Sequence, residues 1–212
     1  MRYYISDLHF FHGELNEHMD KRGFESVEAM NEYMIHKWNS KVKRKDDVVI
    51  LGDLSTGKPL ETMQIIRRLN GKKYMIEGNH DIYLHHRDFD VSLFKSIKNY
   101  GEMNDDGRKV ILSHYPIMAY NRQYSYNKKD EPKTYMLYGH VHDTFDEVLI
   151  NDFVLSTRER KRMLRYDDEP RNIPCQMINC FAMYSDYVPL SLDEWIELDN
   201  ERRIRLKEKT CQ

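Results

Sequence analysis

Residues Lys73-Tyr74-Met75-Ile76-Glu77-Gly78-Asn79-His80-Asp81 pass from a short β-prone run, through a glycine, into three polar side chains that can bind a metal or a phosphate. The same grammar recurs along the chain. Candidate strands Arg2 to Ser6, Asp47 to Leu51, Lys109 to Ser113 and Tyr135 to Tyr138 run into Asp7-Leu8-His9, Gly52-Asp53, Ser113-His114 and Gly139-His140-Val141-His142. Met177 to Asn179 reads as a sixth strand. Short strands rich in Val, Ile, Tyr and Met that alternate with helical stretches predict a layered α/β domain. In such a sheet the carboxyl ends of the strands form one rim where ligands bind, so residues distant in sequence should converge there.

Between the strands, Val27, Met30, Met34, Trp38 and Val42 fall at three- and four-residue steps behind Ser26, a suitable N-cap, and predict a helix packed on the sheet. Trp38 and Asn39 are assigned to its packing. A second helix, Leu60 to Leu69, turns Met63, Ile66 and Leu69 inward and stops at Asn70-Gly71. A third starts at Ser191 and carries Leu192, Trp195, Ile196 and Ile204. One domain over residues 1–212 is expected, with loops at 121–133 and 157–172, both placed so as to shape a substrate pocket.

Composition narrows the function classes. Lys+Arg 33 against Asp+Glu 35, a formal net charge of -2, removes any global electrostatic case for a dedicated nucleic-acid or membrane binder. No stretch approaches the ~20 apolar residues of a membrane span. No apolar signal core precedes Asp7, and the odd set Cys175, Cys180 and Cys211 lacks C-x-x-C spacing, so a reducing cytoplasm is the expected setting.

The chemistry lies in Asp7, His9, Asp53, Asn79, His80, His114, His140 and His142. Carboxylate oxygens with a majority of imidazoles suit Mn, Fe, Co or Zn rather than Mg or Ca. D-x-H and H-x-H at i and i+2 turn both side chains to one side of an extended segment. Glycine before Asp53, Asn79 and His140 permits close backbone approach.

In order, D-x-H, G-D, G-N-H-D, H and G-H-x-H resemble the calcineurin-like metallophosphoesterases, over blocks that span Asp7 to His142. The tail, Ile178-Asn179 and Tyr187-Val188-Pro189-Leu190-Ser191-Leu192, resembles small single-domain bacterial and phage members. The resemblance implies an α/β/β/α sandwich and two divalent transition-metal ions, manganese first, with Fe, Zn, Co or Ni as alternatives. It implies one metal on Asp7, His9, Asp53 and His142, and a second on Asp53, Asn79, His114 and His140, with Asp53 shared. His80 is implied to contact the phosphate and the leaving oxygen, oriented by Asp81. Two such ions lower the pKa of a shared water, and the resulting bridging hydroxide attacks phosphorus in line. GDLSTGK and GNHDIYL lack the arginines that protein Ser/Thr phosphatases of this fold carry, so a protein phosphatase is not expected.

The leading expectation is a phosphodiesterase or phosphomonoesterase for a small-molecule or nucleotide phosphate ester. His12 and Arg22 are its candidate substrate contacts, while His85-His86 is expected on a loop. A nuclease on single-stranded nucleic acid is the alternative, drawn from the basic run Arg158 to Arg165 and from Tyr120, Tyr124, Tyr126 and Tyr135 as base-stacking candidates. A metal-free binding or scaffold protein is a third, opposed by the intact ligand set.

Overall fold

A computed structural model of the protein describes residues 1–163 and 168–210, with side chains to 205. Its elements, in chain order, are β1 Arg2–Ile5, α1 Val27–Lys41, β2 Asp47–Ile50, α2 Pro59–Arg68, β3 Lys72–Ile76, β4 Phe94–Lys98, β5 Tyr100–Asp105, β6 Arg108–Ser113 and β7 Thr134–Tyr138. They continue with α3 Phe145–Arg158, β8 Lys161–Arg162, β9 Arg171–Asn172, β10 Met177–Asn179 and α4 Leu192–Thr210. All six predicted strands and all three predicted helices are present.

Two sheets form the centre. One has the order β1-β2-β3-β4, all parallel, with Ile5 opposite Ile50 and Ile50 opposite Met75. The other has the order β10-β7-β6-β5, parallel except for the antiparallel edge pair of β5 and β6. The period-two alternation of side chains sorts each strand between two cores. Tyr3, Ile5, Val48, Ile50 and Met75 face α1 and α2, whereas Tyr4, Val49, Leu51 and Ile76 meet Val110, Leu112, Leu137 and Ile178 between the sheets. On the far side Ile111, Met136, Tyr138 and Met177 pack under Val154 of α3. The result is the α/β/β/α sandwich. Each fully buried Ile or Leu of these layers contributes about 1.5–3 kcal/mol over exposure.

The helices follow their sequence signals. Ser26 caps α1 through its hydroxyl and the Ala29 N–H at 3.0 Å, and Met30, Met34, Trp38 and Val42 are buried. Asn39 does packing work of its own, bonding the Arg68 carbonyl and the Asn70 N–H and so tying α1 to the end of α2. At α4, Ser191 and Glu194 form a reciprocal cap, and the buried Trp195 donates to the Tyr4 carbonyl at 2.9 Å, which seats the helix against β1. Ile204 is not part of that face: it is 59% exposed, while its neighbour Arg203 is buried on Asp199, Asn151 and the Met177 carbonyl.

The segment expected as a loop at 157–172 holds the end of α3 and the two-stranded ribbon β8-β9. Residues 164–167 of the basic run and its acidic sequel, Arg165 among them, lie outside the described residues, as does Cys211; Cys175 and Cys180 are buried free thiols. No helix among the described residues is long and apolar enough to cross a membrane.

Candidate metal centre

The parallel strands β1, β2, β3, β6 and β7 end on one rim, and the five polar blocks leave from their carboxyl ends. They are stitched to one another by backbone bonds. Asp7 N–H donates to the Gly52 carbonyl and His9 N–H to that of Asp53, Gly139 N–H donates to the His114 carbonyl, and His140 N–H reaches both Asp7 carboxylate oxygens at 3.0 and 3.1 Å. The chain bends sharply to do this. Asp7, His9, Asp53, His140 and His142 all sit at positive φ, between 48° and 71°. Left-handed backbone at non-glycine residues is costly and clusters at functional sites, where the surrounding structure enforces it. At Gly139 a Cβ would lie 2.4 Å from Asp7 Oδ2, and at Gly52 (φ +91°) it would lie 2.3 Å from His114 Nδ1, so no other residue fits either turn.

Donor atoms gather in two groups. Asp7, His9 and His142 form one and Asp53, His114 and His140 the other, each with its three ligand atoms within 4.8 Å of one another. In the first, His9 Nε2 and His142 Nε2 face each other at 3.2 Å. In the second, His114 Nε2 and His140 Nδ1 both lie 2.9 Å from Asn79 Oδ1, which adds a fourth donor. Asp53 Oδ2 stands between the groups, 3.5 Å from His9 Nε2 and 3.4 Å from His114 Nε2. Imidazole nitrogens and carboxylate oxygens that crowd two shared points are the donor set of divalent transition metals, so the residues present fit the metal pair that the resemblance implies.

Electrostatics agree with that fit. Burial pushes His9 down to about 3 despite the nearby Asp7 and Asp53 carboxylates, which leaves the neutral imidazole a ligand requires. Burial opposes ionisation of Asp7, yet its contact with His142, with His114 behind it, outweighs that and holds the carboxyl down to about 2, while, against its burial, Asp20 and Asp7 push His142 up to about 9, so that a metal there must displace a proton from His142. Asp53 is likewise held low, by His114 and by the backbone N–H of His80, against its own burial.

His80 is exposed at the edge of the groups and belongs to neither. Its N–H donates to Asp53 Oδ1 at 2.8 Å, and its ring packs edge-on against His9 and His12, with centroids 5.3 and 6.1 Å away. Asp81 does not orient it. The fully buried Asp81 carboxylate accepts the N–H groups of Asp53, Leu54 and Gly78 at 2.7, 2.8 and 2.8 Å, and therefore staples the G-D and G-N-H-D turns together.

His12 lines the cavity of about 300 Å³ that opens over both groups, alongside Leu15, Met19 and Val141. Arg22, the other expected substrate contact, does not reach it: its side chain is 0% exposed, held beneath the first block on Asp20 and the carbonyls of Asp7 and Leu8. Sequence reading missed Asp20, whose carboxylate meets His142 Nδ1 at 2.8 Å, because a lone loop aspartate has no ligand spacing. It also missed Tyr115, whose ring lies 4.4 Å from that of His140. Asn179, in the tail, bonds the His142 carbonyl at 2.9 Å, and Phe181 stacks on the His142 ring at 4.6 Å.

The basic segment sits elsewhere. Lys133, just before β7, bonds Ser125, Tyr126 bonds the Asn172 carbonyl, and Arg158 bonds the carbonyls of Pro174 and Cys175 just before β10. These contacts place the Tyr-rich loop and the ribbon at the amino ends of β7 and β10, opposite the rim. Tyr120 and Tyr135 are core residues, and the faces of Tyr124 and Tyr126 are covered by Arg162 and Arg171 at 4.1 and 4.4 Å, so the expected base-stacking platform is not formed at the metal groups. His85 and His86 are exposed, but His85 closes a short 3-10 turn, Ile82–His85, where a loop was expected, and pairs with Glu77.

A family model described as the calcineurin-like phosphoesterase superfamily domain matches residues 3–155. The chain belongs to that superfamily, and it is a metal-dependent phosphoesterase in the general sense that the family and the two donor groups define. It is 27% identical over 204 residues to the uncharacterized protein MJ1445 of Methanocaldococcus jannaschii, an alignment covering 95% of this chain and 93% of that one. It is 28% identical over 159 residues to the Gene 66 protein of Mycobacterium phage D29, covering 66% of this chain and 77% of the relative. A crystal structure of a protein of unknown function, AQ665 from Aquifex aeolicus, shares the fold with a TM-score of 0.58 at 21% identity, covering 93% of this chain and 98% of that chain.

Proposed function

We propose that this protein is a dinuclear phosphoesterase that hydrolyses a small phosphodiester in preference to a monoester, with manganese as the first choice of metal. The observation that carries the reading is Asp53 Oδ2, poised between two three-residue donor groups. Asp7, His9, Asp53 and His142 would hold one ion, and Asp53, Asn79, His114 and His140 the other. When bound, such a pair supplies charge for the phosphoryl oxygens and acidifies a water toward neutral pH.

The protein's own residues supply the rest. His80, anchored through its backbone on Asp53 and outside both donor groups, would stabilise the charge building on phosphorus and pass a proton to the departing oxygen. Asp81 acts earlier, by holding the two turns that present Asp53 and His80. His12 faces the same cavity and is assigned to substrate contact.

Preference for a diester rests on charge. Among the described residues no Lys or Arg lines the cavity, while Asp146 does, and Asp20 beside it has its charge balanced by Arg22. A dianionic monoester would have only the metals and histidines to neutralise it, whereas a monoanionic diester needs less, and its organic group can lie against Leu15, Met19 and Val141. A cavity of about 300 Å³ admits a small ester. The nuclease reading finds no support at the rim, because the basic ribbon lies at the opposite edge.

Hydrolysis of bis-p-nitrophenyl phosphate and p-nitrophenyl phosphate by Mn²⁺-loaded protein tests the reading. The diester should be the better substrate in kcat/KM by about tenfold or more, a difference of roughly 1.4 kcal/mol in transition-state stabilisation. Cleavage of neither ester would end the enzyme proposal, and a monoester preference would reverse the substrate assignment.

A further inference from the structure

The two donor groups are not backed alike. In the second group, His114 Nδ1 meets the Leu51 carbonyl at 2.9 Å, a neutral partner, and Asn79 is a neutral donor. In the first group, His142 Nδ1 meets the carboxylate Oδ1 of Asp20 at 2.8 Å. The other Asp20 oxygen accepts Nε and Nη2 of Arg22 at 3.1 and 2.9 Å. The same guanidinium donates to the Leu8 carbonyl at 2.6 Å and the Asp7 carbonyl at 3.1 Å, and lies 5.7 Å from the centre of the Tyr187 ring. One buried fork thus joins the D-x-H turn, Asp20 and, through Asp20, the last histidine of G-H-x-H. Tyr187 of the tail covers it from behind.

We propose that Asp20, clamped by Arg22, is a positioning residue that makes the Asp7, His9 and His142 group the tighter of two unequal metal sites, the one that fills first. This rests on the dinuclear reading above. The carboxylate selects the His142 tautomer with its proton on Nδ1, so the Nε2 lone pair points at Asp7 Oδ1 and His9 Nε2, 3.6 and 3.2 Å away. A carboxylate behind an imidazole also raises its basicity as a ligand, and losing such a partner costs about 10–100-fold in metal affinity. Arg22 holds that carboxylate in place and satisfies the two carbonyls that the strained turn at Asp7 and His9 leaves facing inward. Its planar fork serves all three acceptors at once, a geometry lysine cannot reproduce. Burying an ion pair with side chains 0% and 7% exposed is expensive for stability alone, which fits a role in the site.

The test is a calorimetric Mn²⁺ titration of the full chain after chelator stripping. Wild type should bind two ions in resolved steps, with His142→Ala abolishing the tight step and His140→Ala only the weak one. Asp20→Asn, which keeps an oxygen for the His142 N–H but removes the charge, should weaken the tight step about tenfold or more and leave the weak step within about twofold. Arg22→Lys should do the same to a smaller degree, which provides a second variant should Asp20→Asn fold poorly. Unchanged constants in both variants, with only a lowered unfolding midpoint, would reduce the clamp to a structural ion pair and overturn the proposal. Wild-type protein that takes up no Mn²⁺ would instead bring down the dinuclear reading itself, a result distinguishable from failure of the clamp alone.

Discussion

The two edges of the sandwich spend their polar residues in opposite ways. At the carboxyl rim, Asp7, His9, Asp53, His114 and His142 are buried, four of them on left-handed backbone, and their nitrogens and oxygens converge on shared points. At the amino edge, Arg162 and Arg171 lie on the surface ribbon against Tyr124 and Tyr126, with Arg171 paired to Asp130. Both edges carry charged and aromatic residues in number. Among the described residues the amino edge has left-handed backbone at Arg122 and Asp130, but both are exposed, whereas at the rim burial and strain fall on the same charged and imidazole side chains, and that is the physical mark of a site.

The contrast can be broken by substitution. Asp53→Asn has the largest expected effect: it removes the one carboxylate shared by both groups, and activity on bis-p-nitrophenyl phosphate should fall to the background rate with loss of at least one bound ion. Next, His80→Ala should lower kcat by roughly 10²–10⁴-fold with metal content unchanged; loss of metal in this variant would make His80 a ligand after all. Gly139→Ala drives a methyl into Asp7 Oδ2 and Ser6 Cβ, 2.4 and 2.6 Å away, and should cost about 1–3 kcal/mol. Thermal unfolding reads that as a drop of roughly 2–4 °C per kcal/mol. The smallest effect belongs to the other edge. Arg162→Ala with Arg171→Ala should leave diesterase activity within about twofold and stability within about 0.5 kcal/mol for each change, and a salt-sensitive nuclease activity lost in that double variant would erase the distinction between the edges.

What could be read in advance followed from local rules. Six of the strands are short runs rich in Val, Ile, Tyr and Met, and five of them stop in polar blocks, so those strands, the convergence of Asp7 through His142 and the use of glycine at positions such as Gly139 were legible in the sequence. Helix α3 was not, because its buried face is Glu147, Asn151, Val154 and Thr157, while Phe145, Val148 and Leu149 face outward. Apolar periodicity points to the wrong side of such a helix. Strands β4 and β5 escaped notice for a related reason: both are edge strands whose exposed positions include Lys95, Lys98, Glu102 and Asn104, the polar pattern that edges tolerate.

Roles were harder to read than positions. Arg22 and Asp81 have the residue types of a phosphate contact and a catalytic carboxylate, yet their partners are backbone groups and Asp20, none of which adjacency in sequence could indicate. Asp20 itself becomes meaningful only beside His142, a residue far along the chain. Long-range pairing decides such roles, and a single sequence does not display it.

Two metal ions on the rim with Asp53 between them are what the proposed chemistry requires. Anomalous diffraction from crystals grown with Mn²⁺ measures this directly. Two peaks are expected, one against Asp7, His9 and His142 and one against Asn79, His114 and His140, both in contact with Asp53. A single ion, or ions bound away from these residues, would contradict it.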